Sequence, residues 1–283
     1  MKLSIITVNL NNAAGLARTL DSAKEQTWRD FEHIVIDGGS TDGSREAIES
    51  RAAQIAHWVS EPDGGIYAAM NKGLRAARGE YVQFLNSGDW LASPGVLERV
   101  FGRNEFAEDL LYGNSLRPDG AGGWKELPQP DSLTVARFWG MGLCHQTVFY
   151  KREWFGRLGG YDERYRIVAD WDFNFRALLA GCTTRHLPFP VVHYEGRGIS
   201  ATQVDRMERE KEEMRRHRLP DAIYRDYERL MFLEKECVRL KKFEDWAAQI
   251  RARNPLLNYA MATKWFWEKF RPRAARRGEG EGE

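Results

Sequence analysis

Cysteine is scarce in this chain: Cys144, Cys182 and Cys237 are odd in number and far apart, with no CxxC pair and no zinc spacing. Such usage gives no disulfide framework and suits buried thiols in a reducing compartment. Charge of one sign is missing too. Forty-two lysines and arginines against 41 aspartates and glutamates leave a formal net charge of +1, so no bulk field draws the chain to nucleic acid or to an acidic polymer. No run of about eighteen apolar residues occurs, so the chain is not expected to span a membrane by itself. The opening MKLSIITVNLNN is apolar only briefly, interrupted by Ser4, Thr7 and Asn9 and followed by no small-residue cleavage site; it reads as a strand rather than a signal peptide. The glycine-rich phosphate cradles GxxxxGK[ST] and GxGxxG are both absent.

What is present is length, alternation and polar strand ends. At 283 residues the chain suits one large catalytic domain plus an appendage, or two small domains. Leu3 to Leu10 is β-rich, Ala14 to Gln26 is helix-compatible, and FEHIVID (Phe31 to Asp37) is a second strand. A helix is predicted from the Ser40 to Ser44 turn to about Ala56, then a strand through Trp58 and Val59, a helix over Gly65 to Ala77 and a strand over Tyr81 to Leu85. Repeated βαβ units of this kind give an α/β domain with a mostly parallel central sheet. From about Asp109 short strands, a glycine-rich turn and aromatic segments follow, then a helix over Val168 to Ala180 and a strand near Pro190 to Tyr194. The resulting division is 1–200 as one fused domain, with a nucleotide half over 1–108 and an acceptor half over 109–200. A helical extension over 201–272 and a disordered tail over 273–283 complete it. Within the extension Leu230, Leu233, Cys237 and Leu240 recur at three-and-four spacing and predict packing helices. Its end, LLNYAMATKWFWEKFRPRAARR, mixes aromatics with basic residues; it suits a helix on an anionic membrane surface, with a domain-packing helix as the alternative.

Ligands of open α/β sheets bind outside the carboxyl ends of the strands, and three such ends here are strongly polar. They are Thr7, Val8, Asn9; Asp37, Gly38, Gly39, Ser40, Thr41, Asp42; and Asn86, Ser87, Gly88, Asp89. Glycines admit close backbone approach and a carboxylate can accept from a base or ribose hydroxyl, although DGGSTDGS by itself also reads as a turn with a helix N-cap. With both phosphate cradles missing, a divalent ion is the natural neutraliser of phosphates, and Asp89 stands at a strand end where it can be an oxygen ligand. His145 and Gln146 read either as acceptor or diphosphate contacts or as core residues. His193 precedes Glu195, Gly196, Arg197, Gly198, a segment suited to a lid with Arg197 on the phosphates and His193 on the metal.

Taken together, SIITVNLNN, VIDGGSTDGS, SEPDGGIYAAMNKGLRAARGEYVQFLNSGD and ADWDFNFRAL resemble, in order and spacing, the family 2 glycosyltransferases, inverting enzymes of the GT-A fold, over roughly residues 1–200. The resemblance implies a nucleotide pocket lined by Thr7, Asn9, Asp37, Ser40 and Asp63, with Asn71, Lys72, Asn86 and Ser87 nearby. It also implies Asp89 as metal ligand (Mn2+ or Mg2+) and Asp170 as the base that deprotonates an acceptor hydroxyl. Asn86 and Gly88 stand where relatives often carry aspartates, and Ala169 where many carry glutamate. The implied reaction moves a sugar from a nucleotide-sugar, a UDP-sugar first, to a glycan or lipid-linked acceptor in cell-surface polysaccharide or glycolipid assembly. Its implied place is cytoplasmic and peripheral on the inner face of the cell membrane. The rival readings are a nucleotide-sugar-forming nucleotidyltransferase and a non-catalytic sugar-binding scaffold.

Overall fold

A computed structural model describes residues 1–140, 142–196 and 198–253 of the chain. Arg197 and the segment expected on a membrane surface lie outside the described residues. Chain order is β1 (Leu3–Asn9), α1 (Ala13–Lys24), β2 (Phe31–Asp37), α2 (Ser44–Glu49), β3 (His57–Ser60), α3 (Ile66–Ala76), β4 (Tyr81–Phe84), β5 (Trp90–Leu91) and α4 (Val96–Phe101). Then come β6 (Leu110–Pro118), β7 (Trp124–Leu127), α5 (Val135–Gly140), β8 (Val148–Lys151), α6 (Glu153–Leu158), α7 (Ala169–Leu179), β9 (Thr184–His193), α8 (Ile199–Thr202), α9 (Val204–Arg218) and α10 (Asp221–Arg253). The helix expected to reach Ala56 stops at Glu49 and is followed by a single 3-10 turn over Ala52–Gln54.

The sheet runs β3-β2-β1-β4-β8-β6-β9-β5, with β7 hairpinned onto β6. Pairing is parallel through β3-β2-β1-β4 and again between β6 and β9; the remaining pairs are antiparallel. β1 is buried along its whole length, as expected for a strand covered on both faces. On one of those faces α3 comes so near that a Cβ on Gly73 would lie 2.5 Å from a methyl of Ile6. Strand order reverses at β1, with β2 on one side and β4 on the other, and this opens a crevice at their carboxyl ends. The short β5, directly after Asp89, pairs Trp90 with His193 of β9 and so returns the far strand to the β4 loop.

Beyond β4 an aromatic core takes over. Phe84, Tyr150, Phe155, Tyr161 and Phe173 interlock, with Phe155 and Phe173 stacked at 4.0 Å. These contacts bind α6 and α7 to β4 and β8. α9 then fixes the first turn of α7: Glu210 accepts from the Ile167 N–H at 2.8 Å, the Lys211 ammonium lies 4.0 Å from the Trp171 ring centre, and Arg218 pairs with the fully buried Asp172 at 2.6 Å.

Two compact units divide the chain, Met1–Tyr224 and Arg225–Glu283, so α9 belongs to the first. In the second, described as helix to Arg253, Leu230, Leu233, Cys237 and Leu240 are exposed rather than packed. Their spacing makes a stripe, but a stripe on one helix buries nothing without an opposing face. No helix among the described residues is long and apolar enough to cross a membrane.

Candidate active site

Asp37 ends β2 with no solvent exposure. Oδ1 accepts from Asn9 Nδ2 at 2.7 Å and Ser40 Oγ at 2.5 Å, and Oδ2 from Ser40 N at 3.0 Å and Ser60 Oγ at 2.6 Å. Burial would raise this carboxyl, but the donors from Ser40, Ser60 and Asn9 hold it below the ordinary value. All four acceptor sites are filled, so Asp37 builds the Gly38–Ser40 turn and joins the ends of β1, β2 and β3. Half-buried Asp63 borders that turn: Oδ1 accepts from Gly65 N at 2.8 Å, and a Cβ on Gly38 would come within 2.9 Å of Oδ2. Gly38 thus leaves room for the second carboxylate.

Asp170 stands in the first turn of α7. Oδ1 accepts from the Tyr67 hydroxyl at 2.8 Å, and Oδ2 lies 3.0 Å from His145 Nδ1. Burial pushes the Asp170 carboxyl up, but the His145 and Tyr67 contacts outweigh it and hold it below the ordinary value. The amino-end dipole of α7 acts in the same direction. His145 Nε2 is 3.1 Å from Asn86 Nδ2, so the imidazole links α7 to the loop after β4.

Asp89 closes that loop and is 7% exposed. Oδ2 accepts from Gln146 Nε2 at 2.8 Å and Oδ1 from the Glu195 N–H at 3.1 Å, while its backbone carbonyl accepts from Thr19 Oγ1 at 2.7 Å. Here burial wins and pushes the carboxyl up to about 6. His193 stacks on Trp90 at 4.8 Å with Trp124 edge-on at 4.5 Å, and burial lowers its pKa. Its Nδ1 is buried without a partner. Among the described residues no group of three or more His, Cys, Asp or Glu side chains can hold a metal ion. The buried Asp89 carboxylate nevertheless fits an ion held by one carboxylate that takes its remaining ligands from substrate oxygens and water, the usual habit of magnesium.

Not every expected residue reaches the crevice. Thr7 is fully buried and its hydroxyl meets His33 Nε2 at 2.9 Å. A strand rises about 3.3 Å per residue, so Thr7 lies roughly 6–7 Å short of the strand end. Asn71, one turn into α3, bridges to the Tyr161 backbone at 2.8 and 2.9 Å and to Glu163 at 2.8 Å. Lys72 pairs with Glu61 at 2.7 Å on the surface, and Ser87 accepts from Asn12 Nδ2 through its carbonyl at 3.1 Å. Asn9, Asp37 and Ser40 are joined by hydrogen bonds with Asp63 beside Gly38, while Asn86 and Asp89 are joined to the His145–Gln146 turn. Tyr67 and Gln146 were not singled out as contacts of the two carboxylates. Neither carries a local signal, because their partners Asp170 and Asp89 are 103 and 57 positions away in sequence. The Arg117 guanidinium lies 4.7 Å from the Tyr194 ring centre with Nε buried and unpartnered.

The Thr7 contact yields a prediction. His33 is held neutral by burial, its pKa lowered to about 4. Thr7→Val removes the partner of a buried imidazole and is expected to cost about 1–3 kcal/mol in urea unfolding, with donor KM unchanged. A several-fold rise in KM without loss of stability would restore Thr7 to the nucleotide pocket.

The family model "Glycosyl transferase family 2" matches residues 4–159. A "PGL/p-HBAD biosynthesis glycosyltransferase" of Mycobacterium tuberculosis is 37% identical over 211 residues, covering 72% of this chain and 80% of the relative. A second glycosyltransferase of that organism, named as uncharacterized, is 31% identical over 235 residues, covering 81% and 82%. The fold is shared with Staphylococcus aureus TarS 1–349, solved with UDP-GlcNAc, at TM-score 0.64 and 20% identity over 80% of this chain and 70% of that one. It is shared as well with the mannosyltransferase PcManGT of Pyrobaculum calidifontis, solved with GDP-Man and Mn2+, at TM-score 0.56 and 21% identity over 72% and 60%. Fold and site thus define a sugar-transferring α/β enzyme of the GT-A type. The chain belongs to glycosyl transferase family 2.

Proposed function

We propose that the enzyme transfers a sugar from a UDP-sugar, with inversion, to a hydroxyl of a glycan or lipid-linked acceptor at the inner face of the cell membrane. The observation that carries this reading is the placement of Asp170: ionised, anchored by Tyr67 and His145, and linked through His145 to the loop that holds Asn86 and Asp89. Each oxygen of Asp170 accepts one protein hydrogen bond, which leaves lone pairs for an acceptor O–H. That proton passes to Asp170 as the oxygen bonds the anomeric carbon and the carbon–diphosphate bond breaks. A carboxylate of low pKa serves because the attacking alcohol acidifies as the bond forms.

Asn9, Ser40 and Asp63, around the turn that Asp37 organises, would bind the nucleoside; Asp89 and His193 would hold a divalent ion, with Arg197 of the glycine-flanked segment on the phosphates. When bound, the ion supplies electrostatic stabilisation to the leaving diphosphate. The ligands named for TarS and PcManGT, UDP-GlcNAc and GDP-Man with Mn2+, and the glycolipid-directed name of the mycobacterial relative support the donor and acceptor classes.

The test is release of nucleoside diphosphate from UDP-, GDP- and dTDP-sugars with Mn2+ or Mg2+, with and without chelator. Slow release from one UDP-sugar, abolished by chelator, is the expected result. Release from a GDP-sugar alone would correct the donor. Failure of every nucleotide to bind in calorimetry would sink the reading.

A further inference from the structure

Outside the strand-end loops and α7, a single 3-10 turn touches both functional carboxylates. It spans His145–Thr147, between α5 and β8. His145 Nδ1 is 3.0 Å from Asp170 Oδ2, and the next residue, Gln146, donates to Asp89 Oδ2 at 2.8 Å. The turn is itself rigidly held: Gln83 Nε2 of β4 donates to the Gln146 carbonyl at 2.8 Å, and both the N–H and the hydroxyl of Thr147 donate to the Cys144 carbonyl, at 2.9 and 2.8 Å. Gln146 Oε1 accepts from the Cys144 thiol at 3.2 Å, which leaves its amide nitrogen to face Asp89.

We propose that this dipeptide is the positioning element of the active site. His145 orients the base, Gln146 orients the diphosphate-side carboxylate, and the fixed geometry of one turn sets the separation between them. The inference rests on the transferase reading above and deepens it. A carboxylate only accepts, so the proton of the His145–Asp170 bond sits on Nδ1. The same ring reaches Asn86 through Nε2, so displacement of the loop after β4 pulls on the base through one rigid imidazole. His145 is not the base, because both its nitrogens are engaged by protein groups. Misplacing a reacting group by about 1 Å can cost on the order of 100-fold in rate, which is the scale on which such a tether acts.

Two substitutions separate the two ends of the imidazole. Asparagine puts an amide nitrogen near the place of Nδ1 and keeps a donor toward Asp170; glutamine reaches toward the place of Nε2 and Asn86. With the donor sugar that supports diphosphate release, His145→Ala is expected to lower kcat roughly 10- to 100-fold with donor KM within about twofold, because the base loses its Nδ1 donor while Asp89 keeps its Gln146 amide. His145→Asn is expected to recover most of that loss and His145→Gln little. Gln146→Ala is expected to weaken UDP binding in calorimetry at least threefold while His145→Ala leaves it unchanged. Equal behaviour of the asparagine and glutamine variants, or a loss that falls on KM, would overturn the assignment. An arm independent of turnover uses 15N-edited histidine spectra: His145 is expected as the Nδ1–H tautomer in the wild type, with its Nδ1–H resonance shifted in Asp170→Ala as that hydrogen bond is lost. An Nε2–H tautomer, or an Nδ1–H resonance unmoved in Asp170→Ala, would overturn the tether even where catalysis is intact. A wild type that binds no nucleotide would instead sink the transferase reading, and the spectra would still decide the tether.

Discussion

Asp170→Asn is expected to lower kcat by about 1,000-fold, within the 100- to 10,000-fold range of general-base effects, with donor KM and UDP affinity nearly unchanged. The substitution keeps the volume of the side chain and an oxygen for the Tyr67 hydroxyl, so the first turn of α7 should stay in place, clamped by Glu210 and Arg218. What it removes is the proton acceptor. Far-ultraviolet dichroism and the thermal midpoint check that the fold survives; the rate of diphosphate release in the presence of acceptor checks the role. A kcat within tenfold of wild type would remove Asp170 from the chemistry. Because burial, which raises its pKa, is outweighed by the His145 and Tyr67 contacts, the base stays ionised below the ordinary carboxylate range. The rate should therefore show no acid limb from Asp170 at or above that range. The same sign governs stability: a depressed carboxyl contributes above its unfolded pKa, and the contribution is lost as pH falls through the folded value.

Asp89 is expected to behave in the opposite way, and Asp89→Asn should move activity and stability in opposite directions. Burial lifts this carboxyl from 3.8 to about 6, so between those values the folded chain binds more protons than the unfolded one. Stability of the metal-free protein should accordingly fall as pH rises from about 4 to about 6 and remain lower above that. A shift of roughly two units corresponds to about 3 kcal/mol. Asparagine removes the charge but cannot accept from both Gln146 and the Glu195 N–H as the carboxylate does, so a net gain of about 1–2 kcal/mol at pH 7.5 in chelator is expected. Turnover should fall by at least about 100-fold, the scale lost when one electrostatic stabiliser of a transition state is removed. Urea melts at pH 4.5 and 7.5 read the first effect and diphosphate release reads the second. A variant less stable than wild type at pH 7.5 and still active would contradict both halves.

Both expectations rest on environments that the residues themselves do not announce. Asp37, Asp89 and Asp170 are each aspartates at or near a polar segment, the first two buried and the third half-buried, yet Asp37 and Asp170 are held low while Asp89 is raised. The difference lies in the donors. Ser40, Ser60 and Asn9 converge on Asp37, whereas Asp89 receives one amide and one backbone N–H.

The alternation of buried strands with amphipathic helices could be read from the chain because periodicity is local. So could the loops at the carboxyl ends of β1, β2 and β4, since a turn that needs glycine, and a carboxylate at its edge, are written in a few consecutive residues. The motifs that mark a family 2 glycosyltransferase stand in those same loops and in the first turn of α7. Tertiary structure decided the rest. Thr7 and Asn9 share a strand face, but only the strand's depth in the sheet leaves one locked against His33 and the other at the crevice. Tyr67 and Asn71 share a helix face one turn apart, and the docking of the 161–170 segment gives the first to Asp170 and the second to a backbone bridge. The pairing of Trp90 with His193, the meeting of His145 with Asp170 and of Gln146 with Asp89, and the exposure of the α10 stripe depend on which surfaces are brought together. A sequence fixes periodicity and composition over a few turns, whereas the pKa of a carboxylate and the partner of a side chain are set by groups tens of residues away that only packing makes adjacent.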